Sequence, residues 1–251
     1  MTILRPLVIA AGLIAVWQLI IIATGVQHFI LPSPGRVANA LVDRYDVIMG
    51  HAWVTLGEII LGLVLGTILG TASALVMGYF RPAQQWLMPV LVISQAIPVF
   101  ALAPVLVLWL GYGIGSKVAM ATLIIYFPVT AAFFDGLRRT DIGHIELART
   151  MGASRWAILR HIRIPAALPS FASGMRVATA VAPIGAIVGE WVGSSRGLGF
   201  LMLHANGRLQ IDVMFAALFI LAVMAVVLYF LVDAVLRRLI RGQPETDPSN
   251  D

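Results

Sequence analysis

Two carboxylates stand where the chain carries almost no other charge. Glu190, in Gly189-Glu190-Trp191, and Glu58, after Gly57, border or interrupt long apolar runs. An ionised group within such a run is costly in hydrocarbon, so it marks a cavity, a pairing partner or a path for a polar solute. Three readings of Glu190 stay open: a group facing a passing solute, a partner for Arg196, or a contact with headgroups near the outer end of its segment. Gln95 and Trp191 join it as candidate pathway groups, with Ser94 beside Gln95, although a buried amide also serves by bonding a neighbouring helix. Glu58 reads as an interface residue at the mouth of its segment. The chemistry these residues suit is recognition and passage of a polar ligand. No segment sets a nucleophile beside a histidine or pairs two acids, so no catalytic residue is expected. The single lysine, Lys117, follows Gly111-Tyr-Gly-Ile-Gly-Ser116 and precedes Val118, which departs from the phosphate-cradling pattern at the second glycine and at the hydroxyl position. ATP is therefore not bound by this chain in that way. Zero cysteines exclude thiolate chemistry and Cys-ligated metal, and no metal site is expected.

The elements that must hold these groups are membrane helices. Of 251 residues, 60% are hydrophobic and 12% charged, with mean hydropathy +0.93; a globular domain carries about 25% charged residues. Uncharged stretches long enough to cross about 30 Å of hydrocarbon predict six spans. They fall at Leu7–Thr24, Ile59–Phe80, about 86–110, Lys117–Leu137, about 170–193 and Val213–Val232. The predicted organisation is a first span within 1–26, a mixed interfacial segment over 27–54, a core over 55–236 with a polar loop at 138–165, and a tail over 237–251 of disorder-prone composition. Six spans put both termini on one side. With the N-terminus inside, the inner face holds Arg5, Arg81, seven arginines from 138 to 176, and Arg237, Arg238 and Arg241, 12 in all, against five positive residues outside. The positive-inside rule then makes the termini and the 138–165 loop cytoplasmic.

Within the second span Gly62, Gly66, Gly70, Ala74 and Gly78 recur every four residues. That spacing lines one helix face with small side chains and predicts close packing of a neighbouring backbone. Pro98, Pro104, Pro128 and Pro183 lie inside spans, where each removes a backbone donor and predicts a kink.

The polar loop predicts two short helices. Asp141 caps the first, Gly152 stops it, Ser154 caps the second and Pro165 ends that one. Both ends of this hairpin are tethered to spans, which argues against DNA binding and for docking of a cytosolic partner.

This loop resembles the EAA loop of ABC importer permeases, whose pattern is E-A-A, three residues, G, nine residues, then I-x-L-P. Here the string is Glu146-Leu147-Ala148, then Gly152, then Ile162-Arg163-Ile164-Pro165, with every interval kept and apolar departures at Leu147 and Ile164. Further strings, Leu31-Pro-Ser-Pro34, Ala103-Pro104, Leu108-Trp-Leu-Gly111 and Gly189-Glu-Trp191, are similar to the nitrate, sulfonate, taurine and pyrimidine branch of these permeases. Phe127–Gly136 and Leu201–Asn206 look most like permeases for hydroxymethylpyrimidine, a thiamine precursor. The resemblance implies an all-α, polytopic fold of the type I importer kind with cytoplasmic coupling helices. It implies a bacterial inner-membrane location, two ATPase subunits that carry ATP and Mg, a periplasmic substrate-binding protein and a second permease copy. Glu146, Leu147, Ala148, Gly152, Ile162 and Pro165 would be the ATPase-coupling residues. The reading from another class is a passive channel or ion-driven transporter in which the hairpin merely caps a pore.

Overall fold

The computed structural model describes residues 4–240, and the predicted tail beyond them lies outside the described residues. Among the described residues the chain is nearly all helical and has no strand. The order is α1 (Leu4–Thr24), α2 (Pro34–Asp43), α3 (Tyr45–Tyr79), α4 (Arg81–Ala96), α5 (Val99–Leu110), α6 (Ile114–Arg138), α7 (Ile142–Thr150), α8 (Arg155–Ile158), α9 (Ile164–Gly193), α10 (Leu198–Gly207) and α11 (Ile211–Leu239). A π-turn, Leu159–Arg163, joins α8 to α9.

Four stretches are long and apolar enough to span a bilayer: α3, α6, Arg155–Gly193 and α11. Helices α4 and α5 qualify only as a pair, and they are bent by 104° at their junction. The unbroken third span expected over 86–110 is thus two helices. Ile97 stands immediately before Pro98, whose ring disfavours the helical conformation at the preceding residue, and Ile97 is extended at φ −83°, ψ 121°. The apolar stretch of α1, Ala11–Thr24, is shorter than a full span. The described residues therefore give four spans, or five with the bent pair, where the sequence predicted six.

Two other boundaries moved. The mixed 27–54 segment holds α2, started by Ser33 as cap with Pro34 in the first turn, and the first turns of α3. Here most polar residues sit on helix surfaces, and over 34–54 the helical backbone breaks only at Arg44, between α2 and α3. Helix α11 runs on past Val232 to Leu239.

At the centre α6 is sandwiched between α3 and α9. The glycines of the α3 stripe face α6: a Cβ on Gly62 would lie 2.5 Å from the Ala121 Cβ, and one on Gly66 2.6 Å from the Ile125 Cγ2. Gly70 meets Val129 and Thr130, and Gly78 meets Leu137. Helix α9 answers from the other side, where Gly174 abuts the Pro128 carbonyl and Gly185 the Ala121 backbone. Between them Ile59, Ile125, Val129, Ala178, Ala182 and Ala186 are fully buried. Backbones this close gain dispersion contacts that lipid tails do not provide, which is how apolar helices associate in an apolar solvent.

Candidate functional site

The hairpin between α6 and α9 forms as a small self-capped unit. The Asp141 carboxylate accepts from Gly143 N at 2.7 Å and starts α7. Gly152, at φ +80°, ends it: Gly152 N donates to Arg149 O and Ala153 N to Ala148 O, each at 2.9 Å. These are the paired bonds of a helix stop that requires a left-handed residue. The Ser154 hydroxyl accepts from Ala157 N at 3.2 Å and starts α8. Pro165 does not end this second helix. It sits in the first turn of α9, and the π-turn just ahead of it widens the helix so that the ring fits and the chain passes without a break into the long span.

On this hairpin Glu146 and Leu147 are exposed, Ala148 is buried, and Ile162 and Pro165 are half-buried. Trp156, more than half exposed, meets Tyr79 of α3 edge to face at 6.0 Å. Ile158 and Leu159 are buried beneath it. Between the hairpin and the α3–α4 joint lies a cavity of about 580 Å³ lined by Arg81, Arg138, Arg149, Arg155 and Arg163, with no acidic side chain in its wall. Guanidinium groups gathered without counter-charge make this end of the molecule strongly attractive to carboxylates and phosphates.

At the opposite end of the bundle the acidic residues meet. Glu58 of α3 and Glu190 of α9, each 1% exposed, lie side by side, and Glu58 Oε2 has no hydrogen-bond partner. Thr55 donates to Glu190 Oε1 at 2.6 Å and accepts from Leu198 N at 2.8 Å. Glu190 Oε2 accepts from Gly199 N and from Phe200 N, and His51 Nδ1 accepts from Gly197 N at 2.9 Å. Glu190, Thr55 and His51 together thus satisfy the free N–H groups at the start of α10, which an isolated helix end leaves unpaired. Gly197, at φ +110°, is required here, since a Cβ would land on the Glu190 carboxyl group. Lys117 is buried beside this layer and donates to the carbonyls of Tyr112 and Gly113 at 3.1 and 3.2 Å.

Several expectations change accordingly. Glu190 does not pair with Arg196 and does not face headgroups; its oxygens are engaged inside the bundle. Glu58 is no interface residue but its buried partner. No single span pairs two acids, yet the fold pairs them across α3 and α9. Gln95 lies exposed on α4 and Trp191 half exposed on α9, so the three candidate pathway groups occupy unlike surroundings. Sequence reasoning missed Thr55, His51 and Gly197, which carry no local signal because their partners lie far along the chain. It also missed Asp233, which accepts from Arg176 Nε at 2.7 Å and from Arg237 Nε at 2.8 Å and so ties α11 to α9. A carboxylate four residues before Arg237 in an apolar helix was the available clue.

Comparisons with known proteins agree with this architecture. The family described as binding-protein-dependent transport system inner membrane component matches residues 62–242. The chain is 53% identical over 237 residues, 94% of this chain and 97% of the other, to a protein of Haemophilus influenzae named a probable ABC transporter permease. It is 37% identical over 224 residues, 89% of each chain, to the formylaminopyrimidine transport permease ThiX of Halalkalibacterium halodurans. Among solved structures, the inward-facing MetNI methionine ABC transporter superposes with TM-score 0.68 at 20% identity, covering 79% of this chain and 99% of that one. At that identity the likeness concerns the fold alone.

Proposed function

The chain belongs to the family of binding-protein-dependent transport system inner membrane components, and from that membership as an ABC transporter permease we propose that it imports a small heteroaromatic solute of the hydroxymethylpyrimidine or aminopyrimidine type. ATP is hydrolysed by a separate subunit in this family, and the permease supplies the path. The cargo assignment draws on the strings 127–136 and 201–206 and on the 37% likeness to a permease named for formylaminopyrimidine.

The observation that carries the mechanism is the hairpin. Glu146 and Leu147 project from a self-capped unit whose second helix continues through a π-turn into a membrane span. A docked ATPase subunit that moves this unit moves α9 with it, and α9 is interlocked with α6 and α3. Glu146, Leu147, Ala148, Gly152, Ile162 and Pro165 are the coupling residues in this reading, and the exposed cavity arginines Arg81, Arg138, Arg149 and Arg155 suit acidic groups on the docked subunit, whereas the Arg163 donors are taken up by carbonyls of the bundle. Two permease copies, two ATPase subunits and a periplasmic binding protein complete the importer. The termini and the hairpin are cytoplasmic, and alternating access arises as ATPase closure shifts the balance between outward and inward packings.

Gentle purification of the tagged chain from its native membrane tests this. An ATPase subunit is expected to co-elute, with association or hydrolysis reduced in Glu146→Ala. Elution alone, even after crosslinking, would favour a passive or ion-driven transporter. Uptake of labelled hydroxymethylpyrimidine, challenged with taurine, an alkanesulfonate and riboflavin, tests the cargo.

A further inference from the structure

Arg163 occupies the variable position of the Ile162-Arg163-Ile164-Pro165 string and is the last residue of the π-turn. Its Nε and Nη2 both donate to Leu137 O, at 3.0 and 2.9 Å, and its Nη1 donates to Gly78 O at 2.8 Å. Leu137 lies in the last turn of α6 and Gly78 in the last turn of α3, so both carbonyls belong to helix ends whose own backbone partners have run out. For Gly78 the residue four positions on is Pro82, which has no N–H to offer. One guanidinium, half-buried, thus holds the ends of two spans while belonging to the turn through which the coupling hairpin enters a third. Its charge also faces the negative ends of both helix dipoles.

We propose that Arg163 is the positioning residue that transmits hairpin movement to α3 and α6. Without it the hairpin is continuous only with α9, and its pull reaches the cytoplasmic ends of the other two spans through apolar packing alone. Three charge-assisted hydrogen bonds resist displacement, because shifting the turn must either carry both carbonyls along or break all three, leaving Leu137 O with only the Thr140 hydroxyl at 3.3 Å. The π-turn, closed by Ile164 N donating to Leu159 O, carries the arginine at its last position, so the guanidinium travels with the start of α9. Planarity matters here: only a fork of fixed geometry addresses two carbonyls from separate helices at once, and a lysine ammonium offers donors from a single point.

This proposal rests on the permease reading above, and its test separates the two. The permease and its co-purified ATPase are reconstituted in proteoliposomes with the binding protein, and uptake and ATP hydrolysis are measured together. In Arg163→Gln the ATPase should still associate and hydrolyse within about twofold of the unaltered complex, while solute moved per ATP falls about tenfold. Arg163→Lys should recover part of that ratio. An unchanged ratio, or uptake and hydrolysis falling in proportion, overturns the proposal. Should Arg163→Gln fail to accumulate in the membrane, Arg163→Lys alone decides: an undiminished ratio refutes the role, and a ratio lowered about threefold with association intact supports it. If the unaltered chain binds no ATPase, the permease reading itself has failed, which is a different result.

Discussion

Thr55 and Glu190 lie on different spans and are joined through one hydroxyl: Thr55 Oγ1 donates to the buried carboxyl group at 2.6 Å and accepts from Leu198 N at 2.8 Å. The carboxyl group in turn takes the next two N–H groups of α10. A helix start deep in an apolar protein is thereby satisfied by side chains from two other helices, and removing the hydroxyl strands a buried donor and a buried acceptor together.

Thr55→Val keeps the shape and deletes the hydroxyl. It should lower the stability of the purified protein by about 2–3 kcal/mol, the order expected for leaving buried polar groups unpaired. Thr55→Ser should retain most of it. Thermal unfolding in a mild detergent provides the comparison, and equal melting temperatures for the two variants would mean that the hydroxyl carries no structural weight.

The glycines of α3 make opposite predictions at neighbouring positions. A Cβ on Gly62 meets Ala121 at 2.5 Å, whereas one on Gly57 meets nothing within 4 Å. Gly62→Val should therefore destabilise by about 1–3 kcal/mol through overpacking. Gly57→Ala should be neutral or stabilising by up to about 1 kcal/mol, because alanine favours a helix interior over glycine. Urea or thermal midpoints of the two variants check the sign of each.

Gly152 stands at φ +80° and its N–H donates to Arg149 O. Proline at this site would fix φ near −65° and remove the donor. Gly152→Pro should insert normally yet lose transport, with hydrolysis no longer tied to uptake. Normal transport by this variant would show that the hairpin is not the coupling element.

Asp233 is shared by Arg176 of α9 and Arg237 of its own helix. Asp233→Ala strands both guanidinium groups, while Arg176→Ala leaves the carboxylate with one partner. The first should lower the melting temperature more than the second, because it leaves two guanidinium groups without their carboxylate, although with Arg176 30% and Arg237 72% exposed water compensates the losses in part. A double-mutant cycle by thermal unfolding measures the coupling, and a zero interaction energy would remove Asp233 as the tie between α9 and α11.

Much of this was legible without coordinates. A low charge content and long apolar runs dictate helices in a bilayer, because backbone polar groups there must be satisfied within the segment. The four-residue recurrence from Gly62 to Gly78 marks a close-packed face, and Asp141, Gly152 and Ser154 punctuate the hairpin, since caps and left-handed stops act over three or four residues. Only the tertiary structure decided what depends on residues far apart in the chain. Glu58 and Glu190 become partners because α3 and α9 both press on α6. Thr55 becomes a cap for a helix more than a hundred positions away. Pro165, a helix breaker in local terms, is absorbed by a π-turn, and Arg163 turns from one arginine among many into a clamp on two helix ends. Short-range rules fix backbone state and burial tendency; the pairing of buried polar groups is fixed by which helices meet, and that information is distributed over the whole sequence.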